Sequence, residues 1–119
     1  MKYFLLLILV LLIGALIFLG YWLFKKQKHK LYEFINTPEY TIDEIEIHNT
    51  ADSLWTHYEG NVYDLTKFIS QHPGGSVILK AGGKNLKTIW ETENVEWHNT
   101  NKHILNTLDK YMIGTLKLI

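Results

Sequence analysis

Six histidines stand in the chain, at positions 29, 48, 57, 72, 98 and 103, and there is no cysteine. Imidazole is the side chain best suited to ligate a transition metal or to move a proton near neutral pH. His72 has the most suggestive context, in "KFISQHPGGSVILKAGG", residues 67–83. Pro73 lacks an N–H and has a fixed φ, so a helix over "KFISQ", capped by Thr66, must stop before it. Gly74 and Gly75 open backbone conformations that other residues avoid, and Ser76 can cap a second helix over "VILKA". The two helices then form a V with His72 at its vertex. Phe68 and Ile69 lie on one arm, and Val77, Ile78 and Leu79 on the other. Such a vertex points an imidazole into an apolar cleft; the plainer alternative is a loop turn with an exposed histidine.

His98 follows 26 residues later, beyond another short helix, and apolar side chains of the last helix can close the same pocket. Two neutral imidazoles facing across an apolar slot suit an iron porphyrin, with one axial ligand on each face. Zinc is the rival, but a structural zinc site almost always has four ligands and no third and fourth stand at recognisable spacing. Hydrolysis has no support: there is no cysteine, no G-x-S-x-G and no paired carboxylate arrangement to identify a nucleophile. His29, His48 and His57 read as surface or hydrogen-bonded histidines.

The elements that must hold these groups divide the chain into three. Residues 3–24 are 22 consecutive residues without a charge, and about 20 such residues span a bilayer's hydrocarbon core as a helix. A cleaved signal peptide would have a shorter apolar region and an A-x-A-like site. Here the run ends in "GYWLFKKQKHK", whose Tyr21, Trp22 and Phe24 suit an interface, so 1–24 reads as a retained transmembrane anchor. Only Lys2 precedes the span, whereas Lys25, Lys26, Lys28 and Lys30 follow it, which places the C-terminal part in the cytosol; the lack of cysteine fits a reducing compartment. Residues 25–39 read as a basic juxtamembrane linker broken by "NTP" at 36–38. Residues 40–119 are left as one small domain, of a size that often needs a staple such as a cofactor.

From residue 31 onward there are 7 lysines, no arginine and 12 carboxylates, a net charge of −5, which argues against nucleic acid as a partner. "TIDE" at 41–44 has capping-box spacing. "SLWTHYEGNVYDL" reads as two strands around Glu59-Gly60-Asn61, and 85–92 as a short helix. "TENVEWHNTN" reads as a loop before a last helix near 102–111, on which Ile104, Leu105, Leu108 and Met112 keep helical spacing. The whole is α+β, with short helices set on a small sheet.

These residues resemble the cytochrome b5 family over about residues 40–116. "VYDLTKFISQHPGG" at 62–75 is the specific part, supported by "YTIDEIEIHN" at 40–49, Trp55, "AGGKN" at 81–85 and "YMIGTL" at 111–116. The resemblance implies a small mixed sheet with a haem pocket between helix pairs. It implies haem b with His72 as first axial ligand and His98 as second, His103 being the alternative. Phe68, Ile78 and Leu79 match pocket positions, with Leu105 and Leu108 on the closing helix; Asn99 stands where a serine often meets a haem propionate. The implied function is one-electron transfer, from a flavin-containing NADH or NADPH reductase to a membrane desaturase, hydroxylase or monooxygenase, without a substrate site of its own. Glu91, Glu93 and Glu96 would steer a basic partner. The competing reading is a haem-binding regulatory or scaffold protein at a membrane that shuttles no electrons. The chain departs from the family in a slightly longer interval between His72 and His98, in Trp97 where glycine is common, and in an anchor at the N-terminus rather than the C-terminus.

Overall fold

The computed structural model describes residues 1–117. They fall into two units, divided between Asn36 and Thr37. The first is one helix, α1 (Lys2–Ile35), with no buried side chain. The basic segment expected as a linker continues this helix as far as Ile35. Lys, Gln, Leu and Glu are strong helix formers, and His29 faces Glu33 one turn on at 3.5 Å. Lys26 lies 5.3 Å from the Trp22 ring centroid and Lys28 5.5 Å from that of Phe24. The helix stops at Asn36, whose side-chain amide and backbone N–H both donate to the Tyr32 carbonyl. The "NTP" break therefore falls where expected, but what precedes it is helix.

The second unit is α+β. Five strands, β1 (Glu39–Tyr40), β2 (Asn49–Thr50), β3 (Ser53–Tyr58), β4 (Asn61–Asp64) and β5 (Met112–Leu116), form one sheet in the order β1-β5-β4-β3-β2. β1 runs parallel to β5 and every other pairing is antiparallel. The β3–β4 hairpin turns on Glu59 (φ 50°) and Gly60 (φ 80°), the two left-handed positions a tight right-twisted hairpin requires. In β3, Leu54 and Thr56 are fully buried, as the two-residue period of a half-covered strand dictates. Thr56 satisfies its hydroxyl by donating to the Lys84 carbonyl at 2.6 Å.

Helix α2 (Ile42–Glu46) begins with the anticipated capping box. The Glu44 N–H donates to Thr41 Oγ1 at 3.3 Å, and the Thr41 N–H donates to Glu44 Oε2 at 2.7 Å. The Thr41 N–H bond, and a second bond from the Thr41 hydroxyl to Glu44 Oε2 at 3.0 Å, hold the Glu44 carboxyl below its ordinary value of 4.5. A group whose folded value is depressed stabilises the fold above its unfolded value and loses that contribution as pH falls through the folded one. Thr41→Ala is expected to destabilise the domain by about 1 kcal/mol at neutral pH. In chemical denaturation series the difference between parent and variant should shrink below about pH 4.5.

Three short segments are 3₁₀ rather than α: Thr66–Gln71, Gly75–Ala81 and Glu96–Thr100. Neither Thr66 nor Ser76 caps a helix as expected. Thr66 lies inside the first of them and uses its hydroxyl to accept from the Leu54 N–H (2.9 Å) and to donate to Asp64 Oδ1 (2.5 Å). It thereby ties the His72 arm to the ends of β3 and β4. Ser76 lies inside the second, whose cap position is Gly74. The expected loop before the last helix contains the third. Helices α3 (Leu86–Thr92) and α4 (Lys102–Asp109) are capped by the side chains of Asn85 and Asn101. Met112 belongs to β5, not to the last helix. A core of Leu54, Tyr63, Leu65, Ile78, Ala81, Leu86, Trp90 and Leu108 joins the sheet to these helices.

Candidate functional site

Between the helical segments lies a cavity of about 640 Å³, and His72, His98 and His103 all line it. Two local devices bring the first two there. At His72-Pro73-Gly74-Gly75 the Gly75 N–H donates to the His72 carbonyl at 2.9 Å. Proline at the second and glycine at the fourth position are the usual residues of such a turn, and Gly75 sits at φ 64°, a region that favours glycine. The second device ends α3. Asn94 adopts φ 57°, its N–H donates to the Glu91 carbonyl, and the Val95 N–H reaches back to Trp90 O at 2.8 Å. This is a Schellman stop, in which asparagine is the usual substitute for glycine, and it throws the chain into the 3₁₀ turn that carries His98.

Each turn then supplies a carbonyl to its own histidine. His72 Nδ1 lies 3.2 Å from the Gly75 carbonyl oxygen, and His98 Nδ1 lies 2.7 Å from that of Val95. A carbonyl can only accept, so in both rings Nδ1 carries the proton and Nε2 keeps its lone pair. Each ring is thus tied at Nδ1 to backbone, with no partner for Nε2 among the described residues, the kind of outer hydrogen bond that orients a histidine able to take a metal. The His103 ring has no such anchor among the described residues; the described bonds of that residue are made by its backbone.

The walls are apolar, and their composition follows helix geometry. Leu86, Ile89 and Trp90 of α3, with Glu93 at its C-cap, line the cavity, the i, i+3, i+4, i+7 face of a helix. In α4 the lining residues are His103, Ile104, Thr107 and Leu108, and then Tyr111 just beyond it. Leu108 is thus on the wall as expected, but Leu105 is not. It packs against the core instead. In the 3₁₀ segment after Gly74, Val77, Ile78 and Ala81 line the cavity. Side chains three apart share a face in that helix, so Ile78 and Ala81 go together, whereas Leu79 is half-buried against the core and does not line the cavity. Phe68 lines the cavity edge-on to His72, with centroids 5.8 Å apart. Asn99 is not on the wall; its Oδ1 is buried with no partner among the described residues. At the margin, Glu93 is paired with Lys80 at 2.6 Å, a half-exposed pair of a kind that contributes about 0–1 kcal/mol.

Trp90 and Trp97 escape a search for ligands alone. Trp90 is almost fully buried and Trp97 is largely exposed, yet both line the cavity beside His98. Trp97 had a signal in the sequence, as a large indole where the resembling family commonly has glycine. His48 and His57 lie elsewhere. His48 Nδ1 meets Ser53 Oγ at 2.6 Å and the ring stacks on Trp55, while burial of His57 in β3 lowers its pKa.

Comparison with known proteins agrees with this arrangement. The family model for the cytochrome b5-like heme/steroid binding domain matches residues 41–117. Cytochrome b558 of Ectothiorhodospira vacuolata, a prokaryotic homologue of cytochrome b5, superposes with a TM-score of 0.60 at 30% identity, over 68% of this chain and 100% of its own. The mitochondrial sulfite oxidase of Drosophila melanogaster is 37% identical over 81 residues, 67% of this chain and 14% of the oxidase. Cytochrome b5 of Nicotiana tabacum is 36% identical over 81 residues, 67% of this chain and 56% of the tobacco protein. The chain thus spans only part of the length of either of these two relatives. With the match running from Thr41 through Lys117 and the same fold in a bacterial homologue, the chain belongs to the cytochrome b5-like heme/steroid binding domain family.

Proposed function

We propose that this chain is a membrane-anchored b-type haem protein that carries single electrons, with His72 and His98 as the axial ligands. The observation that supports this best is the pair of anchored imidazoles, each with Nδ1 given to a backbone carbonyl and both lining one apolar cavity. The residues fit the group. The volume lies within the range of cofactor sites, about 300–1,000 Å³, the walls offer the apolar lining a macrocycle needs, and no group of three or more His, Cys, Asp or Glu suited to a metal ion occurs among the described residues.

Haem b supplies a one-electron couple when bound. The chain's part is to hold both Nε2 lone pairs in place, to orient the rings through Gly75 and Val95, and to keep water away with Phe68, Ile78, Trp90 and Leu108. Two fixed nitrogen ligands suit either oxidation state, so little rearrangement need accompany transfer. Helix α1 is long and apolar enough to span a membrane, and the lysines after residue 24 favour a cytosolic domain. A flavin reductase as donor and a membrane redox enzyme as acceptor complete the proposal; what supports a redox partner in general is that a matching relative, the fly sulfite oxidase, is a redox enzyme by name.

An absorption spectrum of the full chain in detergent, supplied with iron protoporphyrin IX, tests the reading. Stoichiometric binding with a low-spin, six-coordinate spectrum in both oxidation states is expected. Failure to bind, or a five-coordinate high-spin spectrum, would sink it.

A further inference from the structure

Trp97 is anomalous as a packing residue. It is 57% exposed, and it is absent both from the core and from the residues packed against the core. Removing so large an apolar side chain from water is normally what justifies its place in a fold, and that gain is mostly forgone here. What the indole does touch is His98: the ring centroids lie 4.1 Å apart with the planes at 38°. Trp90 meets the same imidazole at 5.5 Å and 23° from the core side.

The hydrogen bond from His98 Nδ1 to Val95 O holds the imidazole at one atom. With the bond at Cγ this sets the ring's orientation to within the slack of one hydrogen bond, and contact between ring faces restricts the plane further. We propose that Trp97 is a positioning residue for His98. It fixes the imidazole plane and keeps water from that side of the ligand, with Trp90 as the buried counterpart. This rests on His98 being an axial ligand.

Two consequences follow for the loaded protein. The ferric site carries one more positive charge than the ferrous site, and a drier ligand disfavours the more charged form. Burial is one of the levers that set the potential of a haem, so Trp97 raises it. Loss of a hydrogen-bonded outer partner of a metal ligand weakens holding of the metal group by about 10–100-fold, and loss of the ring contact is placed at the low end of that range.

The test uses the haem-loaded full chain in detergent and its Trp97→Ala and Trp97→Phe variants. Three quantities are read: the midpoint potential, the rate of haem transfer to excess apomyoglobin, and the g-value spread of the ferric low-spin EPR signal, which reports the angle between the two imidazole planes. Trp97→Ala is expected to lower the potential, alter the g-value spread and release haem about tenfold faster. Trp97→Phe, which keeps an aromatic face, should restore most of each. A Trp97→Ala protein with the parent's potential, EPR signal and release rate overturns the inference, as does a phenylalanine variant that behaves like alanine. A parent chain that takes up no haem overturns the functional reading as well, so the two failures are distinguishable.

Discussion

Replacing His98 by alanine is expected to abolish the low-spin haem spectrum, and His72→Ala is expected to do the same, while His103→Ala leaves it intact. All three histidines line one cavity, so proximity does not choose between them. The outer hydrogen bonds do. His72 and His98 each commit Nδ1 to a backbone carbonyl within the turn that carries them, which fixes the tautomer and presents Nε2 as the donor. Reorienting the unanchored ring of His103, at the start of α4, would cost side-chain entropy that the other two have already lost. With one ligand gone, five-coordinate high-spin iron or loss of haem should follow. Such partners typically change metal affinity 10–100-fold, and deletion of a ligand itself should exceed that range. Absorption spectra of the three variants in parallel decide the matter. A low-spin spectrum that survives His98→Ala but is lost in His103→Ala would reverse the assignment.

Gly74→Ala should produce nearly as large a loss of haem affinity without unfolding the domain. The backbone at Gly74 is ordinary, φ −80° and ψ 1°, so the glycine is not there for conformational freedom. Space is the reason. A Cβ at this position would lie 2.8 Å from His72 Cε1 and 2.9 Å from Val77 Cγ1, closer than real contacts allow. Both obstacles are side chains, so the methyl group is accommodated by turning Val77 and swinging the imidazole away from the Gly75 carbonyl. The haem-free protein then loses a hydrogen bond of about 1 kcal/mol. Against that, replacing glycine narrows the unfolded ensemble by roughly 0.4–1 kcal/mol. Denaturation of the haem-free chain should therefore be close to parental, while haem affinity falls at least tenfold. A variant that binds haem as tightly as the parent would show that the ring has room to spare.

The parts legible in the sequence were those governed by local chemistry. The H-P-G-G turn, the Thr41–Glu44 capping box and the Glu59-Gly60 hairpin each depend on a few adjacent residues whose backbone preferences agree. Phe68, Ile78, Leu108 and both anchored histidines accordingly lie on the cavity wall. Leu79 and Leu105 were each one position away from residues that do, Ile78 and Ile104, and the reason is phase. A run of consecutive apolar residues such as "VIL" or "IL" does not say which member faces a cavity and which the core; tertiary packing sets that. The 3₁₀ geometry of Gly75–Ala81 adds to the difficulty, because its faces repeat every three residues rather than every 3.6. Trp97 illustrates a different limit: its partner is a histidine ring, and nothing in residue type or spacing announces a contact between neighbours in a turn.

The pairing of β1 with β5 has a consequence for how this domain can be carried. Glu39 lies opposite Thr115 and Tyr40 opposite Leu116, so the segment entering the domain and the segment leaving it run side by side at one border of the sheet. Every residue lining the cavity falls between Leu65 and Tyr111, inside the span these two segments close. A unit with adjacent entry and exit is portable: it can be spliced into a longer polypeptide or hung from a leash at either end, and the binding chemistry travels with it. Here it follows a long helix, while the region of the fly sulfite oxidase that it matches makes up 14% of that enzyme.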